Sequence, residues 1–310
     1  MEAAEVTHTA EVQAPARVLY DLVADVTRWP VMFQPTVHVE HQHRALGSER
    51  FAIWALVNGA VASWVSQRTL EPDRLRIGFL QEHASPPIVS MSGAWEFRDR
   101  PSAGAQIALR HRFRTDGSPG AEDNVRRALD GNTARELAAL RRIAEIGCPA
   151  GELVFSFEDT IEAAGPAEAA YSFVADAQHW PERLPHVSDV SLTEDPPGIQ
   201  RLAMTTLTAD GASHATESVR VCRPARQIAY KQTTTPALLL GHSGIWLFED
   251  RHEGGSAITA RHVVMLDWSS VPGALGPRAT LASAREHVRE ALGGNSRITL
   301  AHAKRFAERA

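Results

Sequence analysis

Hydrophobic and polar residues alternate in short segments of this chain and follow a helical period in two longer ones. Ile107, Leu109, His111 and Phe113 alternate with arginines, which is the two-residue period of a strand with one apolar face. Segments 121–146 and 281–308 carry apolar residues at helical spacing and predict two long amphipathic helices. Shorter helices are predicted over 15–27 and 166–178, because each starts at a proline suited to a first helical turn.

The same pattern occurs twice along the chain. Trp29-Pro30 and Trp180-Pro181 lie 151 residues apart, and this offset persists through the later strands. Near the end of each copy, Asn132 and Asn295 lie 163 residues apart, so the second copy carries an insertion of about twelve residues, placed in the Pro/Gly-containing loop 269–282. A period of this length indicates a tandem duplication rather than a solenoid.

Each copy predicts one α+β domain. It begins with a strand, Val6–Val12 or Leu153–Ile161, and continues with a short helix, several strands and a long closing helix. A single long helix against an antiparallel sheet is a two-layer α+β architecture. The predicted domains are residues 1–148 and 149–310, since a chain of 310 residues is long enough for two domains with cores of their own.

Composition narrows the classes of partner and compartment. A net charge of −5 gives no electrostatic reason to expect nucleic acid or an anionic membrane. The apolar runs are shorter than the roughly 20 residues of a membrane span, and the N-terminus lacks the apolar core of a signal peptide. The two cysteines, Cys148 and Cys222, form no CxxC pair. The sequence therefore predicts a cytoplasmic protein without a metal site.

Four motifs carry a resemblance to a known family. Trp29-Pro30 with Phe33, the segment 64–68, the strand from Met91 to Trp95, and Gly131-Asn132-Thr133 resemble bacterial type II polyketide aromatase/cyclases. The resemblance covers nearly the whole chain twice, as in the di-domain subgroup. It implies two tandem helix-grip (START/Bet v1-like) domains, each a curved antiparallel sheet wrapped around a long C-terminal helix with an internal cavity.

The same resemblance implies an activity. Members receive a poly-β-keto chain, here one already ketoreduced, from an acyl carrier protein, alongside other type II polyketide synthase components. They promote first-ring cyclisation and dehydration to an aromatic ring without a cofactor. The alternative function is a non-catalytic START-like carrier of lipids or metabolites.

His111 and His262 are candidate proton shuttles. Alternation places both on the apolar face of their strands. A histidine there is either a hydrogen-bonded core residue or an acid/base group, for which its usual pKa near 6.5 is well suited. The sequence leaves both readings open.

Arg68 and Arg220 are candidate oxyanion-stabilising residues. Trp64 and Ser66 share a strand face with Arg68, and Ser218 shares one with Arg220. Alternation alone does not decide which face is inward, and a strand arginine is more often solvated. The resemblance implies that Arg68 points into the cavity, where a fixed cation would stabilise an enolate while a histidine supplies protons to the departing hydroxyl.

Aromatic and polar residues complete the predicted substrate-binding set. Met91 and Trp95 share a face in the first copy, as do His242 and Trp246 in the second, and Tyr230 makes the second interior more polar. Such stripes serve either as core or as cavity wall. The sequence leaves two alternatives: one copy is catalytic and the other a holder, or each performs one step.

The closing helices contribute two hydroxyl groups and two glycines. Thr133 and Ser296 are predicted to face inward, the alternative being a hydrogen bond back to their own helix. Gly131 and Gly294 lie inside these helices, where glycine costs roughly 1 kcal/mol relative to alanine. A close approach of the helix to the sheet or to a ligand would explain that cost.

Overall fold

A computed structural model of the chain describes residues 3–82, 84, 86–101, 103–146, 148–207 and 213–310. The chain divides into two compact units, Met1–Ala150 and Gly151–Ala310. The boundary predicted from the repeat falls after residue 148, two residues before this division.

The first unit is one antiparallel sheet closed by a long helix. The sheet order is β1-β7-β6-β5-β4-β3-β2, so every strand except β1 lies beside its neighbour in sequence. Its elements are β1 (Ala4–Val12), α1 (Ala16–Ala24), a 3-10 turn (Val26–Arg28), α2 (Trp29–Met32), β2 (Thr36–Ala45), β3 (Ser48–Val57), β4 (Ala60–Glu71), β5 (Arg76–Glu82), β6 (Ile88–Asp99), β7 (Ala105–Thr115) and α3 (Ala121–Ala144).

The second unit repeats this topology, with the order β8-β14-β13-β12-β11-β10-β9. The predicted α+β fold, two tandem helix-grip domains, is confirmed. Its elements are α4 (Ala150–Leu153), β8 (Val154–Ala163), α5 (Ala167–Ala175), a 3-10 turn (Ala177–His179), α6 (Trp180–Arg183), β9 (Val187–Glu194), β10 (Ile199–Leu207), β11 (Ser213–Arg223), β12 (Gln227–Thr234), β13 (Leu239–Asp250), β14 (Ser256–Leu266), α7 (Val271–Leu275) and α8 (Leu281–Ala307).

The short helix after the first strand ends earlier than the sequence predicted. The predicted helix over 15–27 is wrong beyond Ala24, because Asp25 leaves the helical conformation (φ −91°, ψ 91°) and its carboxylate accepts a hydrogen bond from Thr27 N at 3.1 Å. This carboxylate caps a new 3-10 turn. The chain is thereby redirected so that Trp29 Nε1 donates to Val23 O, at 3.1 Å.

The predicted insertion loop 269–282 contains the short helix α7 and the start of α8. Thr280 begins α8 with a capping box, in which its side chain accepts from Ser283 N and the Ser283 hydroxyl accepts from Thr280 N. These bonds satisfy two otherwise unpaired donors, so the helix start is fixed by local sequence.

A glycine in each sheet makes room for an aromatic ring on the adjacent strand. Gly93 pairs with Phe79, and Gly244 pairs with Tyr230. A Cβ atom at Gly93 would lie 2.4 Å from the Phe79 ring, and one at Gly244 would lie 2.5 Å from the Tyr230 hydroxyl. Only glycine therefore allows these rings to lie flat across their neighbours.

The closing-helix glycines Gly131 and Gly294 do not bring helix and sheet together, so the sheet alternative of that prediction is wrong, while an approach to a ligand stays a prediction. Among the described residues, a Cβ atom at Gly131 would meet only the guanidinium of Arg135, at 3.8 Å, and one at Gly294 would meet only Arg297, at 4.0 Å. The residue that faces the sheet is Gly293, where a Cβ atom would lie 3.3 Å from the Asp159 carboxylate.

We expect Gly294→Ala to raise the free energy of unfolding by about 1 kcal/mol, because alanine restricts the unfolded chain without meeting a neighbour. Urea denaturation measures the change. Gly293→Ala is the control, since its methyl group must displace Arg297, whose guanidinium would lie 2.9 Å away. An equal gain for both variants would mean that Gly293 is no more restricted by its neighbours than Gly294.

Candidate functional site

A cavity of about 320 Å³ lies in the first unit between the sheet and α3. Its wall is mostly apolar and aromatic, with Trp29, Phe33, Phe51 and Phe79 contributing rings. The cavity brings together all seven residues that the first copy contributed to the predicted site: Trp64, Ser66, Arg68, Met91, Trp95, His111 and Thr133.

Arg68 borders this cavity, but most of its hydrogen-bonding capacity is used by the protein. Its side chain is 1% exposed. Nε and Nη2 donate to Glu49 Oε1, Nη1 donates to Val23 O at 2.9 Å, and Nη2 donates to Ala24 O. These bonds use four of the five N–H groups of a guanidinium. The guanidinium also lies over the Trp29 ring, 5.0 Å from its centroid.

This geometry gives Arg68 a role that the sequence did not predict. Burial lowers its pKa, and the Glu49 carboxylate opposes that shift. The cation lies at the C-terminal end of α1, where it neutralises carbonyl oxygens that have no helical partner. Arg68 thus fastens α1 to the sheet, and a single N–H group remains for a ligand.

Arg220 occupies the same place in the second unit but lacks the carboxylate. It is 2% exposed, donates to Val174 O at 2.6 Å and lies over the Trp180 ring. The residue paired with it on the neighbouring strand is Gln200, where the first unit has Glu49. Within the described residues, Arg220 Nη1 and Gln200 Oε1 are buried without a hydrogen-bond partner. Burial lowers the pKa of Arg220.

His111 presents a neutral imidazole to the cavity. Burial lowers its pKa to about 4, with a further contribution from His8. Its ring meets Phe79 edge-on, with the centroids 5.5 Å apart, and its Nδ1 atom has no partner among the described residues. A neutral imidazole can accept a proton, which is what the predicted shuttle requires.

Glu136 is a cavity residue that the sequence analysis missed. It lies on α3 one turn after Thr133 and borders the cavity. Burial raises the pKa of its carboxyl group to about 7, although the neighbouring Arg135 favours the charged form. A carboxyl group with a pKa near neutrality can both donate and accept a proton. Its position in the apolar stripe of α3, beside buried Leu137 and Leu140, was the available signal.

In the second unit, four predicted residues are hydrogen-bonded to one another. Ser296 Oγ lies 2.7 Å from His262 Nε2, and His262 Nδ1 lies 3.0 Å from His242 Nε2. The Tyr230 hydroxyl lies 3.0 Å from His262 Nδ1, and His242 Nδ1 lies 2.9 Å from Gln232 Oε1. Ser296 therefore bonds across to the sheet and not to its own helix.

The Gln232 side chain determines which atom donates in each of these hydrogen bonds. Because Gln232 Oε1 only accepts, His242 Nδ1 donates to it, His262 Nδ1 donates to His242 Nε2, and Ser296 donates to His262 Nε2. Burial lowers the pKa of His262 to about 4 and that of His242 well below its usual value, and it raises that of Tyr230. Tyr230, His242 and His262 are therefore all uncharged at neutral pH.

Two other predicted residues of the second unit, Trp246 and Ser218, do not belong to this hydrogen-bonded group. Trp246 belongs to the hydrophobic core, together with Trp180 and Phe248. Its substrate-binding role stays a prediction. The Ser218 hydroxyl lies 3.5 Å from Leu202 O.

No helix in the described part of the chain has both the length and the hydropathy needed to cross a membrane. Among the same residues, no group of three or more His, Cys, Asp or Glu side chains is placed to hold a metal ion.

Comparison with known proteins identifies the family. The family model "Polyketide cyclase / dehydrase and lipid transport" matches residues 3–145 and again residues 154–308. The chain belongs to this family. The resemblance drawn from the four sequence motifs is confirmed, and the double match agrees with the duplication.

Curated relatives match along nearly the full length. The granaticin polyketide synthase bifunctional cyclase/dehydratase of Streptomyces violaceoruber is 51% identical, covering 98% of this chain and 94% of that protein. The actinorhodin polyketide synthase bifunctional cyclase/dehydratase of Streptomyces coelicolor is 49% identical, covering 96% and 95%.

Solved structures match to the same extent. The di-domain ARO/CYC BexL from the BE-7585A biosynthetic pathway has a TM-score of 0.82 at 45% identity, covering 98% of this chain and 99% of that one. The di-domain ARO/CYC StfQ from the steffimycin pathway has a TM-score of 0.78 at 36% identity, covering 98% of each chain.

We expect Glu49→Gln to lower the free energy of unfolding by about 3 kcal/mol, because it leaves a buried cation without its carboxylate. Urea denaturation at neutral pH measures the loss. Glu71→Gln is the matched control, since Glu71 pairs with Arg74 and Arg76 near the surface and its loss should cost far less. Equal losses would show that the Arg68 pair is no more stabilising than a surface pair.

We expect acid to destabilise the fold through His262. Its pKa is about 4 in the fold and about 6.5 in an unfolded chain, so the folded state binds fewer protons between these values. This contribution is complete above pH 6.5 and is lost as the pH falls toward 4. His262→Gln should remove about 2 kcal/mol of the stability change between pH 7 and pH 5.

The measurement is urea denaturation of wild type and variant at both pH values. His252→Gln is the control, because His252 is exposed in the turn before β14. An unchanged pH dependence in His262→Gln would mean that His262 is accessible to protons in the folded state.

Proposed function

We propose that this protein is a cofactor-independent polyketide aromatase/cyclase. It binds a carrier-protein-tethered, ketoreduced poly-β-keto chain and promotes first-ring cyclisation and dehydration to an aromatic ring. The observation that carries the proposal is the aromatic cavity of the first unit, which contains a neutral imidazole, His111, and a carboxyl group of pKa about 7, Glu136. We also propose that the protein acts in the cytoplasm, together with an acyl carrier protein and other type II polyketide synthase components.

The apolar wall supports the binding step. A poly-β-keto chain is flat wherever it is enolised, and the rings of Trp64, Phe79 and Trp95 border the cavity. Such a wall holds the chain folded, so that the reacting carbons are already close to each other. It also excludes water, which would compete for the enolate.

Ring closure then needs only proton transfers. The His111 imidazole accepts a proton from a methylene group between two carbonyls. The resulting enolate carbon forms a bond to a carbonyl carbon of the same chain, and the oxygen of that carbonyl takes the proton of the Glu136 carboxyl group.

Dehydration returns both groups to their starting forms. The Glu136 carboxylate removes a proton from the carbon next to the new hydroxyl-bearing carbon. The hydroxyl group departs as water with the proton held by His111, and a double bond forms between the two carbons. Arg68 contributes chiefly by holding α1 and Trp29 in place, and its remaining N–H group can bind a carbonyl oxygen.

We assign the chemistry to the first unit. In the second unit, the corresponding His262 is bonded to Ser296 through Nε2 and to His242 and Tyr230 through Nδ1. These contacts favour a supporting role for the second copy over a second reaction step.

We expect Glu136→Gln to lower the rate of aromatic product formation by roughly 10²- to 10⁴-fold, because an amide can neither donate nor accept the required proton. The variant is combined with a minimal polyketide synthase and a ketoreductase, and products are quantified over time. Glu122→Gln is the control, because Glu122 lies on the outside of α3, paired with Arg126.

Two results would contradict this proposal. A wild-type rate for Glu136→Gln would remove Glu136 from the mechanism. An unchanged product distribution when wild-type protein is omitted, together with retained binding of the chain, would favour the carrier function instead.

A further inference from the structure

A second cavity lies on the neighbouring face of α3 and adjoins the first. It has a volume of about 390 Å³, and we call it the outer groove. Four residues, Pro35, Asn58, Ala128 and Asn132, line both spaces. The remaining residues of the outer groove are Gln34, Leu56, Gly59, Arg127, Gly131 and Arg135.

Two arginines on α3 flank the groove. Arg127, Gly131 and Arg135 follow one another at intervals of four residues, so they lie along one face of the helix. Both arginine side chains are exposed, and each donates a hydrogen bond to an amide oxygen, Arg127 to Asn124 and Arg135 to Asn132. Asn132 also lines the first cavity, so its amide group borders both spaces.

The charges of these arginines are not balanced by acidic groups. No ion pair to either residue occurs within the described part of the chain, whereas the adjacent Arg126 pairs with Glu122 at 2.9 Å. An amide oxygen holds a guanidinium in position without neutralising it. Two fixed positive charges therefore remain available on one side of a groove.

Gly131 keeps the space between the arginines open. A Cβ atom at this position would approach the Arg135 guanidinium to 3.8 Å, and any longer side chain would extend into the groove. Since no contact with the sheet requires glycine here, the open groove itself accounts for a residue that is unfavourable inside a helix.

We propose that Arg127 and Arg135 bind the phosphate of a pantetheine arm while the attached acyl chain occupies the first-unit cavity. Guanidinium groups bind phosphate oxygens through paired, charge-assisted hydrogen bonds. The arm carries amide groups, which match the amides of Asn58 and Asn132 at the junction of the two spaces. This inference rests on the proposed function, because it assumes a thioester-bound substrate.

Binding of two small molecules to the full-length protein tests the inference without turnover. Titration calorimetry compares 4′-phosphopantetheine with pantetheine, which differs only in lacking the phosphate. We expect the phosphorylated molecule to bind roughly tenfold more tightly. This ratio should fall to near one in Arg127→Gln/Arg135→Gln, and also in Gly131→Leu, which fills the groove while keeping both charges.

Arg141→Gln is the matched control, because it makes the same change on an exposed arginine of the same helix that lines neither cavity. It should keep the full ratio. Holo- and apo-carrier protein form a second pair of probes, and the loss in the double variant should affect the holo form alone. That result would place the carrier-attached arm, rather than a free phosphate ester, in the groove.

Three outcomes would overturn the inference. Equal affinities for the two molecules in wild type would exclude a phosphate site. A ratio that survives in the double variant would place the site elsewhere. Inorganic phosphate binding as tightly as 4′-phosphopantetheine would indicate an adventitious ion only. Because no product is measured, these outcomes are separate from failure of the aromatase activity.

Discussion

The structure of each unit depends on a buried arginine that joins the first helix to the sheet. This arginine, Arg68 or Arg220, lies on the third strand after that helix. In the first unit, Arg68 binds the carbonyl oxygens of Val23 and Ala24 and lies over Trp29. These contacts fix where α1 ends and where the Trp-Pro segment begins. Because Trp29 and Phe33 are part of the cavity wall, the shape of the cavity depends on a cation whose N–H groups are mostly bound within the protein.

The two units share this architecture and differ in the side chains of their interiors. Phe79 and Tyr230 occupy equivalent positions, each lying across a glycine of the adjacent strand. Phe79 has no polar atom and forms cavity wall, whereas the Tyr230 hydroxyl binds His262 and joins a buried hydrogen-bonded chain. Replacement of Glu49 by Gln200 likewise removes an ion pair in the second unit. Small changes at matched positions thus give the two interiors a different polarity.

The sequence was sufficient for the duplication, the order of elements and the first-unit cavity residues, because each of these follows from periodicity or from family motifs. Alternation along β4 placed Trp64, Ser66 and Arg68 on one face, and all three line the cavity. It could not show that Glu49 and two helix carbonyls occupy the Arg68 donors, since those partners come from other elements. Glu136 was missed because an acidic residue in a helix is usually solvated, and only the position of the cavity distinguishes it.

The continuity of α3 has a consequence for the length of chain that can react. The cavity follows this helix from Asn124 to Glu136, a rise of about 18 Å at 1.5 Å per residue. Arg135 and Glu136 are adjacent on the same helix, so the length of an arm anchored at the first would limit how far its thioester lies from the second. The helix would then limit which carbons of the bound poly-β-keto chain can reach the Glu136 carboxyl group. The position of the new ring would depend on backbone geometry rather than on a mobile loop.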